Sequence, residues 1–280
     1  MSHLIRSLSL LCLLLIAPFS WANEAVVNGT GASRSSFDHQ IWQQLLQNHV
    51  YELRGGQATE VDYAGFKQAQ QSLQAYLKKL EQVAQSEFDR WSKAEQLAFL
   101  INAYNAWTVE LILTKYPKLT SIKDLGSLFS SPWKKAFIPF LGKTRSLDDI
   151  EHGLIRGSGR YNEPRIHFAV NCASIGCPAL AREAYTGDKL EQQLEQATVL
   201  FLQDRSRNRL KNDELEVSSI FKWYRDDFKQ GWRGAHSLEA FLAGYAQALY
   251  LTPEQKADLL AEKIDIDFLS YDWDLNDRQR

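Results

Sequence analysis

From Phe37 onward the apolar positions recur at helical intervals. Ile41, Trp42, Leu45, Leu46 and His49 fall three and four apart, which predicts an amphipathic helix ending near the "RGG" run at residues 54–56. "TEVDYAGF" predicts a short extended piece leading into a second helix over about residues 66–85, with Leu73, Tyr76, Leu77, Leu80 and Val83 on one face. Ser92 and Glu95 have capping-box spacing and open a third helix, from about Lys93 to Lys115, which Pro117 closes. This third helix is apolar nearly all round, apart from Asn102 and Asn105. Amides at such positions need hydrogen-bond partners from another element.

The pattern changes in the middle of the chain. "FIPFLGKTRSL" predicts a short hairpin. Asp148 and Asp149 start a helix, "DDIEHGLIRG", that Gly157 and Gly159 stop. Pro164 suits the first turn of a short helix carrying His167, or the residue before a buried strand, and so few residues leave both open. Thr186 is expected to cap an amphipathic helix reaching about Asp204. "ELEVSSIFKWY" then predicts a strand, "SLEAFLAGYAQALY" a helix and "IDIDFLSYDWDLN" a closing strand and turn. With no internal repeat or low-complexity tract, residues 37–280 are expected to form one globular domain. Its class is α+β, mostly helical, with a small, mainly antiparallel sheet.

The first 36 residues read differently. Arg6, an apolar run over residues 8–17, Pro18 and small residues at Ser20 and Ala22 have the layout of a secretory signal peptide cleaved after Ala22. Residues 23–36 are small, polar and rich in glycine and serine, as in a flexible leader. Cys12 lies in the apolar run behind Leu11, where lipid attachment wants a small residue. The expectation is a periplasmic or secreted chain. No later segment approaches the roughly 20 apolar residues of a membrane span.

Composition limits the function classes. A chain 45% hydrophobic and 12% aromatic has the material for a sizeable core and is not a disordered one. Loss of Arg6 leaves 31 basic residues against 34 acidic ones, a net charge of −3. That balance provides no basic stripe for nucleic acid and no polybasic patch for anionic lipid. Serine-hydrolase, Walker, dinucleotide and EF-hand patterns are missing, so no cofactor is expected.

Chemistry concentrates in "RIHFAVNCASIGCPAL", residues 165–180, which holds His167, Asn171 and the two cysteines that a cleaved chain keeps, Cys172 and Cys177. Three readings fit. A C-x4-C loop is short but closable as a disulfide, and export favours oxidation. A thiolate with a nearby imidazole would be a nucleophile. Metal binding with His152 or His167 is the weakest, because C-x4-C is not zinc-finger spacing, and no metal site is expected. His167 and Cys172 are five apart, so any pairing between them must come from the folded chain. A histidine between Ile166 and Phe168 also suits a packed core.

"FLINAYNAWTVELI", "LGKTRSLDDIEHGLIR", "EPRIHFAVNCASIGCPAL" and "SSIFKWYRDDF" follow one another in order and together resemble the domain-of-unknown-function family numbered 547. The resemblance is strong over residues 98–202. The positions matching that family's pattern are Asn102, Tyr104, Asn105, Gly142, Glu151, Arg156, His167, Asn171, Cys172, Cys177 and Pro178. It implies a shared fold unit and leaves the reaction open.

Two functional expectations result. In the first, the chain is a thiol-dependent hydrolase or transferase acting on amide bonds of an unidentified, peptide-like substrate. Cys172 is its nucleophile, His167 (with His152 as runner-up) the base, and Asn102 or Glu151 the orienting group. Backbone N–H groups of residues 173–176 would hold the oxyanion, and Asn105, Asn171, Arg156 and Cys177 would complete the binding site. In the second, the chain is a non-catalytic binding or assembly domain, and a Cys172–Cys177 disulfide braces its groove. Trp223, Tyr224, Phe228 and Trp273 are core or groove wall in both.

Overall fold

The computed structural model describes residues 37–126 and 131–278; the expected signal peptide and leader lie outside them. Within these residues the chain is α+β and mostly helical, and its strands form three small sheets. Three of the four strand pairings are antiparallel. The fourth joins two strands in parallel.

The helix Lys93–Leu113 is the spine, buried along most of its length. Its start follows from the capping box: Glu95 N–H donates to Ser92 Oγ at 3.2 Å, and Ser92 N–H donates to the Glu95 carboxylate at 2.9 Å. Against it packs the helix Gln70–Glu81, whose Leu73, Tyr76, Leu77 and Leu80 are buried as their spacing predicts. That helix is shorter than expected. Residue 69 separates it from a preceding helix, Tyr63–Gln68, capped by Asp62.

The first helix, Gln40–His49, also ends early. Strand β1 (Val50–Leu53) follows and pairs antiparallel with β2 (Ala58–Val61). The "RGG" run is thus a hairpin turn: Arg54, Gly55 and Gly56 all have positive φ. The short apolar run "VYEL" continues a helical pattern equally well, so periodicity could not separate strand from helix there.

The second hairpin, β3 (Ile138–Phe140) with β4 (Lys143–Arg145), is where the sequence put it. Leu141 and Gly142 turn it with φ of 51° and 72°, the conformation that two-residue hairpins favour. The third sheet runs β5 (Arg209–Lys211), β6 (Glu214–Ser218) and β7 (Asp265–Leu269), with β7 parallel to β6. The strand expected over "ELEVSSIFKWY" stops at Ser218, and Ile220–Trp223 is a short helix. Thr186 caps nothing; the helix it was expected to open runs from Leu190 to Gln203, with Lys189 at the cap position.

The buried side chains form two apolar clusters. The turn Pro164–Phe168 contributes to both, Ile166 to the one around the spine helix and Phe168 to the other. Pro164 therefore opens a short helical turn, and no strand forms there. Arg165 locks this turn in place. Its guanidinium is buried and donates to Glu163, Glu191 and Glu195 at 2.7–2.9 Å, which ties the turn to the Leu190–Gln203 helix. His167 is carried on this fixed piece.

Candidate functional site

The two asparagines of the spine helix are buried and bonded outside it. Asn102 donates to Tyr185 O at 2.7 Å and accepts from Tyr185 N–H at 3.0 Å. Asn105 donates to Ala169 O at 2.9 Å and accepts from Asn171 N–H at 2.8 Å. Each amide thus pairs with backbone as a strand neighbour would. Asn102 does not orient His167: the imidazole within its reach is His39, 3.3 Å away. Asn105 fixes the backbone just before Cys172 and makes no pocket wall.

Asn171 is likewise structural. Its side chain accepts from Ala173 N–H at 2.9 Å and donates to Pro178 O at 2.8 Å, spanning the C-x4-C loop from inside. Ala173 sits at φ 63°, a conformation that costs a residue with a Cβ. The sulfurs of Cys172 and Cys177 are bonded, with the Cα atoms 6.1 Å apart. A free Cys177 behind a reactive Cys172, as the nucleophile reading requires, is not what this structure contains. Three of the four expected oxyanion donors are also committed: Ala173 N–H to Asn171, Ile175 N–H to Asp274 O, and Gly176 N–H to Asp272 O.

Those last two bonds bring the C-terminal segment across the loop. A Cβ on Gly176 would lie 2.8 Å from Asp272 O and 2.9 Å from the Tyr271 ring, so only glycine lets the tail approach this closely. The clamp sets the Tyr271 hydroxyl 3.2 Å from both sulfurs. Ser174 Oγ donates to that hydroxyl at 3.1 Å, and burial pushes Tyr271 up to about 12.

Beside the disulfide lies a pocket of about 210 Å³. Cys172, Cys177, Glu151, His152 and His167 all line it, so the fold gathers most of the residues singled out from the sequence. Asn102, Asn105, Asn171 and Arg156 are not in its wall. Much of the remaining wall is aromatic, and Trp223, Tyr271 and Trp273 pack together there with ring centres 4.5–5.6 Å apart.

Glu151 and His152 come from Asp149–Arg156, a π-helix closed by Gly157 N–H on His152 O. Such wide turns are rare and gather at functional sites. Arg156 hydrogen-bonds to Asp227 and His152 rather than to the neighbouring Glu151. It donates twice to Asp227, at 2.5 and 3.0 Å, and once to His152 Nδ1 at 2.7 Å. Because Arg156 must be the donor, His152 Nδ1 is an acceptor and its lone pair is occupied. That removes His152 as a ready base.

His167 is arranged the other way. Its Nε2 lies 2.7 Å from Asp227 Oδ2. Burial opposes ionisation of Asp227, but the hydrogen bonds from His167 and Arg156 override it and hold the carboxyl well below its usual range. Facing a carboxylate, Nε2 carries the proton. Burial lowers the His167 pKa, with Asp227 opposing, so the ring is neutral and Nδ1 keeps a free lone pair. That nitrogen is buried and has no partner. Tyr224 stacks on the ring at 3.9 Å.

Glu151 Oε1 is a second buried atom without a hydrogen-bond partner. Its nearest basic neighbour, His152 Nδ1, is 3.9 Å away and already serves Arg156. Burial, the Glu151 charge and hydrogen bonding toward that carboxylate push the Tyr104 and Tyr224 hydroxyls well above their usual range, while its Oε1 stays without a partner. Burial also raises Asp148 on the same wall.

Asp227 is the site residue the sequence reading missed. It sits in "YRDDF", part of the fourth family-like segment, but one of two adjacent aspartates there carries no local sign of its role. The aromatic wall was legible through Trp223, Tyr224 and Trp273. Among the described residues no three His, Cys, Asp or Glu side chains gather to hold a metal ion, and no helix is long and apolar enough to cross a membrane.

The arrangement defines a domain with a small aromatic-walled pocket, a buried histidine–aspartate pair and a disulfide in its wall. Residues 88–202 match the family model described as "Protein of unknown function, DUF547", and the chain is a DUF547 domain-containing protein. No curated protein and no solved structure matches it.

Proposed function

We propose that this chain is a ligand-binding domain whose site is the pocket beside Cys172 and Cys177, with the disulfide as one of its walls. The observation that carries this reading is the bonded sulfur pair beside two buried acceptors, His167 Nδ1 and Glu151 Oε1, that the protein itself leaves without partners. Ten buried side-chain polar atoms among the described residues lack partners, and two of them belong to residues that line this one pocket, a concentration that supports a ligand there. At about 210 Å³ the pocket takes a small ligand or the end group of a peptide-like one. A second cavity, of about 440 Å³ and lined by residues such as Gln47, Arg182 and Gln196, is larger. None of the partnerless buried atoms belongs to its wall. Export of the chain, with cleavage after Ala22, belongs to the same proposal, because an oxidising compartment keeps the disulfide closed.

A second reading is favoured by His167. An imidazole anchored through Nε2 by a carboxylate, with Nδ1 unpartnered and the residue in the wall that Cys172 also lines, resembles the way a general base for a thiol is oriented. On that reading reduction opens a thiol-dependent hydrolase or transferase acting on amide bonds. Cys172 is then its nucleophile, His167 its base and Asp227 the orienting group in place of Asn102 or Glu151.

Alkylation distinguishes the two. Iodoacetamide applied to the full chain without reductant leaves both cysteines unlabelled if the pair is a wall. After reduction, the hydrolase reading requires Cys172 to react at a pH well below the pKa of free cysteine, and His167→Ala to abolish that advantage. Labelling of reduced Cys172 at the ordinary thiol pKa in both proteins leaves binding as the function.

A further inference from the structure

We infer that the group this pocket recognises is a protonated amine, seated on Glu151 Oε1 and His167 Nδ1 against the aromatic wall. The inference rests on the pocket being a binding site, as proposed above.

The two orphan atoms require donors. Glu151 Oε1 is a carboxylate oxygen, and His167 Nδ1 is an acceptor because Nε2 donates to Asp227. A ligand carbonyl, carboxylate or phosphate would meet a lone pair at both. An ammonium group has three donors and no acceptor, so it suits each atom and can serve more than one.

Charge selects in the same direction. Glu151 is 5% exposed, and Asp148 stands on the same wall. Among the described residues no Lys or Arg lines the pocket. Arg156, the guanidinium nearest in sequence, is committed to Asp227 and His152. The imidazole of His152 accepts from Arg156 through Nδ1, so it offers Glu151 no cation. Arg156 acts on Glu151 only from a distance, and a buried carboxylate with no cation in direct contact gains from a ligand that brings one. A hydroxyl has one donor, so it would serve one of the two atoms and leave that charge unbalanced.

The aromatic wall fits the same guest. Ring faces of Trp and Tyr attract cations. Trp273 already receives one, since Lys123 Nζ lies 3.7 Å from its ring centre. Trp223 is 47% exposed, an unusual amount for a large aromatic, and stacks on Trp273. An amine on a small apolar body would use the donors at the acceptor pair and the body against these rings.

The test compares phenethylamine with 2-phenylethanol, which differ in the charged donor alone, by calorimetric titration of the oxidised full chain at pH 7. The amine is expected to bind at least about tenfold more tightly. Glu151→Gln should erase that preference by weakening the amine far more than the alcohol, and Trp223→Ala should weaken both. If Glu151→Gln does not fold, Asp148→Asn, on a half-buried side chain, should still reduce the preference. Equal binding of the two probes, weakened by Trp223→Ala, would overturn the amine inference and leave the pocket as a site. Binding of neither probe, or binding indifferent to Trp223→Ala, would overturn both.

Discussion

His167 Nε2 lies 2.7 Å from a carboxylate oxygen of Asp227, a residue 60 positions further along the chain. The same carboxylate takes two hydrogen bonds from Arg156. One aspartate therefore fixes the tautomer of a buried imidazole and neutralises the guanidinium that holds His152. Asp227→Asn keeps the shape and removes the charge. It should lower unfolding stability by about 1.5–3 kcal/mol, the range for hydrogen bonds to charged groups. In the folded variant, NMR should find His167 titrating lower still, because Asp227 is what opposes the effect of burial. An unchanged melting curve and an unchanged titration would remove Asp227 from the account.

The asparagines of the spine helix separate structure from site. Asn102→Leu and Asn105→Leu each orphan two buried backbone groups and should cost on the order of 1–3 kcal/mol in urea unfolding. Their effects on the pocket should differ. Asn105 holds Ala169 and Asn171, next to Cys172, whereas Asn102 holds Tyr185. Phenethylamine binding should therefore weaken in the Asn105 variant and persist in the Asn102 variant; equal effects would contradict this division.

These two asparagines also mark how far the sequence could be read. They stood out because polar residues interrupted an apolar helix, and burial with partners outside the helix followed from hydrogen-bond chemistry. The capping box at Ser92 and the Leu141–Gly142 hairpin were legible for the same reason, since local chemistry decides them. What could not be read was tertiary. The Asp227 partnership spans 60 residues, the bond from Ile175 to Asp274 crosses nearly a hundred, and neither leaves a periodic trace. The first hairpin was lost because a strand of four residues is too short to show its own period.

Acid should weaken the fold through its buried histidines. Burial holds His39 at about 4, below its ordinary value of 6.5. A base whose folded pKa is depressed contributes stability that is present above the unfolded value and lost as pH falls through the folded one. Its contribution therefore disappears between about pH 6.5 and 4, and His167, also depressed by burial, acts with the same sign. In His39→Gln the part due to His39 should be missing. The stability gap between wild type and variant should narrow by on the order of 2–3 kcal/mol over that window. A gap independent of pH would contradict the burial of a neutral His39.

Gly176 is the contact point between the C-x4-C loop and the C-terminal segment. Gly176→Ala must move Asp272 and the Tyr271 ring. It should cost about 1–3 kcal/mol, as overpacking does. Because Tyr271 lines the pocket, ligand affinity should fall with it. Loss of stability with full affinity would show that Tyr271 is not part of the wall that binds.

The central claim is that the pocket beside the bonded pair Cys172–Cys177 is where this chain binds. A crystal structure of the oxidised full chain, soaked in turn with phenethylamine and 2-phenylethanol, tests it most directly. The account predicts the sulfurs bonded and the amine nitrogen within hydrogen-bond range of Glu151 Oε1 and His167 Nδ1, its ring against Trp223. A ligand seated in the cavity near Gln47 and Arg182, or an empty pocket beside two free thiols, would contradict it.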